Sequence, residues 1–190
     1  MHIHQLSINY HREQDRLLIR VNTGDGDEFR VWLTRFLALR LRPTLDKILV
    51  EHIARQQADR LTSAGDGQTR KLLADLKTQE VLQKSDFNTP YRNQAARLPL
   101  GEMPLLVTQL DIVPADSGLL QLRFQEKLSD GGTPRDCTFT MEMALAIGLQ
   151  HLLDKGLAEA QWEAASLPDE AARSAAADDG ADESRPRYLN

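Results

Sequence analysis

Apolar and polar residues alternate along the start of the chain in the period of two that places successive side chains on opposite faces of a strand. Leu6, Ile8 and Tyr10 share one face; after a polar turn over residues 11–14, Leu17, Ile19 and Val21 do the same. The segment Thr23-Gly24-Asp25-Gly26-Asp27 has the glycines and aspartates of a tight reversal, and a third strand follows with Phe29, Val31 and Leu33 on the inner side. At Thr34 the period lengthens to that of a helix, with Leu37, Leu41, Leu45, Ile48 and His52 in one stripe and Ala38 and Leu49 widening it. Thr34 is placed to cap this helix through its hydroxyl. Pro43 lies inside the pattern, removes a backbone donor and predicts a kink or a restart.

Residues 63–67 (Ser-Ala-Gly-Asp-Gly) break the helix, and residues 68–84 read as another, with Leu72, Leu73, Leu76 and Leu82 as its apolar positions. Residues 85–104 show no clear period and contain Pro90, Pro99 and Pro104. So long an irregular connection is uncommon inside a compact domain and is often functional.

The second half then repeats the first. Gln109-Leu110-Asp111-Ile112 matches Gln5-Leu6-Ser7-Ile8, and Leu120, Leu122, Arg123 and Phe124 match Leu17, Ile19, Arg20 and Val21. Phe139-Thr140-Met141 stands where Val31-Trp32-Leu33 stood, and Leu153-Asp154-Lys155 where Leu45-Asp46-Lys47 stood. A single three-stranded sheet with one helix leaves an apolar face and open edges that a second copy covers. The expected fold is therefore α+β, with duplicated β-β-β-α units forming an intrachain pseudo-twofold dimer of antiparallel sheets with long helices. Its parts are a first unit over residues 1–62, a helical and irregular connector over 63–104, a second unit over 105–163, and a disordered acidic tail over 164–190.

Charge sharpens this division. From residue 159 onward there are eight acids against three bases, which accounts for the whole formal charge of −5 and leaves the body neutral. Within the body, residues 29–47 hold Arg30, Arg35, Arg40, Arg42 and Lys47 against Asp46 alone. Such asymmetry points to an anionic partner or to the tail folding back on the body. The one cysteine, Cys137, excludes an intramolecular disulfide, no apolar run reaches membrane-spanning length, and the first residues lack a secretory pattern, so a cytoplasmic location is expected.

If the apolar side of the first sheet meets the helix, Arg16, Leu18, Arg20, Arg30 and Trp32 point away from it, with Gln5, Ser7 and Asn9. Guanidinium groups around an indole suit a single-stranded nucleic acid, the phosphates taking the charge and the bases stacking on the ring. The plainer explanation is a solvated or partner-packed sheet face. The second copy offers Arg123 among uncharged neighbours and Asp111, so a nucleic-acid site would be lopsided. The order of strand-rich units ending in a long helix resembles that of single-strand-binding proteins of the whirly and purine-rich-element-binding type, which place four strands before the helix; no residues carry across.

The remaining chemistry is sparse. His2 and His4 share a strand face, with His11 as a conceivable third metal ligand, yet no accompanying ligand motif supports a metal site. His52 and His151 read as packed or edge residues. Cys137 falls on the inner face of a strand, where a thiol stays protonated. No nucleophile elbow, phosphate loop or dinucleotide fingerprint occurs. No cofactor and no catalytic residue is expected, an enzyme with an unfamiliar site being the third reading. The tail ends in Arg185-Pro186-Arg187-Tyr188-Leu189-Asn190, and its layout, acidic with an apolar tip, resembles that of bacterial single-strand-binding proteins, whose tips dock on partner proteins. Arg187, Tyr188 and Leu189 are the candidate tail motif. Taken together these features predict a non-catalytic binding or adaptor protein whose partner is another protein. Single-stranded nucleic acid bound through Arg16, Arg20, Arg30, Trp32, Arg35 and Arg40 is the alternative.

Overall fold

The computed structural model describes residues 3–58, 67–87, 89–92, 97–115, 118–127 and 133–162. Among these residues the fold is α+β, with a four-stranded and a three-stranded sheet and three helices. Strands β1 (Ile3–His11), β2 (Arg16–Thr23) and β3 (Glu28–Thr34) form an antiparallel meander that runs into helix α1 (Arg35–Ala58). Helix α2 (Gly67–Lys84) follows, then a two-residue strand β4 (Leu105–Leu106). Strands β5 (Gln109–Pro114), β6 (Leu120–Glu126) and β7 (Arg135–Met141) form the second meander, which runs into α3 (Met143–Glu159).

Register confirms the alternation read from the sequence. Ile8 pairs with Ile19 and Ile19 with Val31, while Leu17 pairs with Leu33 and Val21 with Phe29, so one face of the first sheet is continuous hydrocarbon. In the second sheet Leu122 pairs with Ile112 and Phe139, and Phe124 with Leu110 and Cys137. These faces, α1 and α3 close over a single core, with the Phe29 and Phe139 rings edge to face at 5.4 Å joining the two sheets. Between β2 and β3 the chain reverses at Gly26, whose φ of 82° is open to glycine at no steric cost. Its N–H donates to the Thr23 carbonyl at 3.1 Å.

Thr34 caps α1 as its position implies, accepting from the Leu37 N–H at 3.4 Å. Glu142, which holds the same place before α3, makes no side-chain cap. Three expectations are corrected. No restart occurs at Pro43, since helix α1 continues through it; the proline is exposed, so its ring lies on the solvent side and the helix forfeits one hydrogen bond there. Leu72 and Leu76 are not core residues but are 61% and 55% exposed. The covered side of α2 is that of Ala74, Val81 and Leu82, which pack on the core, with Leu73 half-buried. Finally, β4 adds an unexpected strand at the start of the second unit, just after the stretch that has no sequence period, parallel to β3 through Val31 with Leu105 and Trp32 with Leu106. The buried Glu126 holds it there, accepting from the Leu106 N–H at 2.8 Å and from Arg135.

The helices α1 and α3 meet antiparallel. Arg42 bonds Asp154, and Gln150 donates to Asp46 at 3.1 Å, so residue numbers rise on one helix as they fall on the other. The expected tail, residues 164–190, lies outside the described residues, as do residues 63–66 of the break expected over 63–67, whose last residue, Gly67, begins α2.

Candidate functional site

The strand register puts Ser7, Asn9, Arg16, Leu18, Arg20, Arg30 and Trp32 on the side of the first sheet away from the core. Glu28 sits among them, and it changes the electrostatics. This carboxylate is 4% exposed and lies between two guanidinium groups: Arg20 at 2.9 Å and Arg30 at 3.5 Å. The Tyr91 ring lies over Arg20, 4.4 Å from its guanidinium carbon, and the Tyr91 hydroxyl donates to Glu28 at 3.5 Å. Burial first, and the neighbouring Glu28 charge next, push the Tyr91 phenol well above its ordinary value. Two of the expected cationic residues are thus engaged inside the protein.

The others are dispersed. Arg16 donates to Gln14 at 3.4 Å, and Trp32 is half-buried with the His11 ring edge on to it at 4.9 Å. Arg35 begins α1, and Arg40, further along that helix, stacks over Phe36 at 4.5 Å. Arg123 is on the outer face of the second sheet, paired with Asp136 at 3.1 Å. Arg187, Tyr188 and Leu189 lie outside the described residues. Cys137 is buried, and burial pushes its thiol up to about 12. His151 packs against the Phe87 ring at 4.7 Å. His52 is half-buried, its imidazole pushed below the ordinary value by burial and by Arg55. Among the described residues no cluster of His, Cys, Asp or Glu could hold a metal ion, and no helix is long and apolar enough to cross a membrane.

What the structure adds is a groove beside β1. This nine-residue strand is the outer strand of its sheet, bonded to β2 on one side. Among the described residues no backbone group bonds its other side. A cavity of about 1030 Å³ runs along that edge. Leu6 and Ile8 of β1 line it together with Leu145, Gly148 and Leu152 of α3. On α3, a β-carbon on Gly148 would meet nothing within 4 Å, whereas one on Gly156 would lie 3.1 Å from the Leu17 side chain and 3.2 Å from that of Ile8. The first glycine leaves space in the groove and the second lets α3 approach the sheet.

Charges at the groove are mixed, with Arg92 and Lys155 against Asp86, Glu142 and Glu159. Phosphates call for a preponderance of positive charge, which is missing here. An open strand edge instead presents a row of backbone donors and acceptors to any extended chain. The partner helix and the open Gly148 position arise from tertiary packing and had no local signal. Comparison with protein-family models, with curated proteins and with solved structures finds no match.

Proposed function

We propose that this protein is a non-catalytic binding module that captures an extended segment of another protein along the free edge of β1. The carrying observation is the conjunction of that unbonded edge with the cavity of about 1030 Å³ floored by α3. An added strand would satisfy the edge N–H and C=O groups, and alternate side chains would descend between Leu6, Ile8, Leu145 and Leu152. Main-chain bonding then supplies affinity, while the apolar floor selects small or aliphatic side chains over Gly148.

The two halves are read as copies of one unit. In support, Arg35 and Met143 begin helices that carry Ala38 and Ala146, Leu41 and Leu149, Leu45 and Leu153 in the same phase, each pair equally buried. The contacts Arg42 with Asp154 and Asp46 with Gln150 are exchanged by that correspondence, as in a twofold interface. The acidic tail is a second contact for partners in this reading. Binding of single-stranded nucleic acid is the competing one, and the engagement of Arg20 and Arg30 by Glu28 argues against it.

A display library of random-sequence peptides, panned on the full chain, tests the proposal. Selected peptides, labelled and followed by fluorescence anisotropy, should bind the wild type and lose about tenfold or more in affinity for Gly148→Leu, which fills the floor. Equal binding by the variant, or no peptide selected while a labelled single strand binds at low salt, contradicts it.

A further inference from the structure

The groove is not open along its whole length. Residues 85–87 and 89–92 run past β1 as a strap and line the cavity together with the strand. Side chains hold the strap in place. At one end Phe87 packs on His151 of α3. At the other, Tyr91 covers Arg20, the Asn22 amide donates to the Arg92 carbonyl at 2.9 Å, and the Arg92 N–H donates to the Gln5 side chain at 3.1 Å. None of these bonds uses the backbone of β1. The strap therefore covers the edge and leaves its ladder positions unpaired among the described residues.

The second sheet shows what the strap adds. Arg123 and Asp136 hold the places of Arg20 and Glu28 and are 49% and 47% exposed, whereas Arg20 and Glu28 are 21% and 4% exposed beneath Tyr91. One arginine–carboxylate pair is a surface contact; the other has become a socket.

We infer that the strap is a built-in competitor for the groove, clamped by the Tyr91 ring in the Arg20–Glu28 socket, and that an incoming strand binds fully only when this clamp lets go. The inference rests on the groove being a peptide site. A paired strand lies about 4.8 Å from its neighbour. Phe87 sits on α3 and Tyr91 on the outer face of the first sheet, so residues 89–91 pass the side of β1 where such a strand would lie.

Removing the clamp should therefore strengthen binding. With a display-selected peptide as probe, Tyr91→Ala should bind about fivefold tighter than wild type, the worth of one cation–π contact. Tyr91→Phe, which keeps the ring over Arg20, should match wild type. Without peptide, amide exchange along β1 should be faster in Tyr91→Ala while β2 and β3 stay as protected as before. Asn22→Ala loosens the same end of the strap and should act in the same direction if Tyr91→Ala fails to fold. Unchanged or weaker peptide affinity in the loosened variants overturns the inference. If no peptide binds any form, the groove reading fails, and exchange decides for the strap alone: faster exchange in β1 upholds it as a cover, and unchanged exchange overturns it.

Discussion

Arg20 donates to both oxygens of Glu28, at 3.1 Å and 2.9 Å, on the outer face of the first sheet. Arg20 and Arg30 are also direct cross-strand partners, so Glu28 separates two like charges that would otherwise face each other. Glu28→Ala should lower the unfolding free energy by about 2 kcal/mol, the loss of charged hydrogen bonds in a largely covered site. Asp136→Ala removes the exposed counterpart and should cost less than about 1 kcal/mol. Urea denaturation of the two variants checks the contrast, and equal losses would remove the socket from the account.

The two glycines of α3 should respond oppositely to alanine. Gly148→Ala gains helix propensity in open space and should stabilise by about 0.5–1 kcal/mol. Gly156→Ala gains the same propensity but drives a methyl onto Leu17, itself fully buried, and should be net destabilising by about 1 kcal/mol. Thermal or urea unfolding of the pair reads the sign directly.

Trp162 anchors the end of the second half to the first hairpin. Its indole N–H donates to Asp15 at 3.1 Å, the same carboxylate oxygen that accepts from Tyr10 at 2.9 Å, and the two rings meet edge to face at 5.7 Å. Trp162→Ala should cost about 3 kcal/mol, as expected for a buried aromatic. Trp32→Ala, at a half-buried outer position, should cost about 1 kcal/mol. A reversed order would place Trp32 in the core.

Acid should weaken the attachment of β4. The hydrogen bond from Arg135 holds the Glu126 carboxyl below its ordinary value against the opposing effect of burial, and the Leu106 N–H adds to the lowering. A depressed carboxylate contributes stability that is present above the unfolded-state value of about 4.3 and is lost as pH falls through the lower folded value. The stability gap between wild type and Glu126→Gln should therefore shrink on acidification from pH 6 to pH 3, followed by urea midpoints. A gap independent of pH contradicts the assignment.

Strands and helices were readable wherever side-chain alternation met a single buried face. Leu17, Ile19, Val21, Val31 and Leu33 declare their side because the core is on one side only, and the same logic recovers Leu120, Leu122, Phe124 and Phe139. Leu72 and Leu76 misled because α2 buries only a narrow side, and a helix carrying leucines on two adjacent rows does not state which row is covered. The site was harder for a different reason. Glu28 lies in an outward position like its arginine neighbours, and only the side-chain contacts show that it bridges them. Tyr91 comes from a stretch without a period, where position is set by contacts rather than by local pattern.

The most direct test of the groove is an NMR study of the full chain with a display-selected peptide. Bound peptide should show cross-strand contacts from its backbone protons to those of β1, together with side-chain contacts to Leu145 and Leu152 of α3. Contacts confined to the outer face of the second sheet, or a bound peptide that leaves the β1 resonances unmoved, would contradict the account.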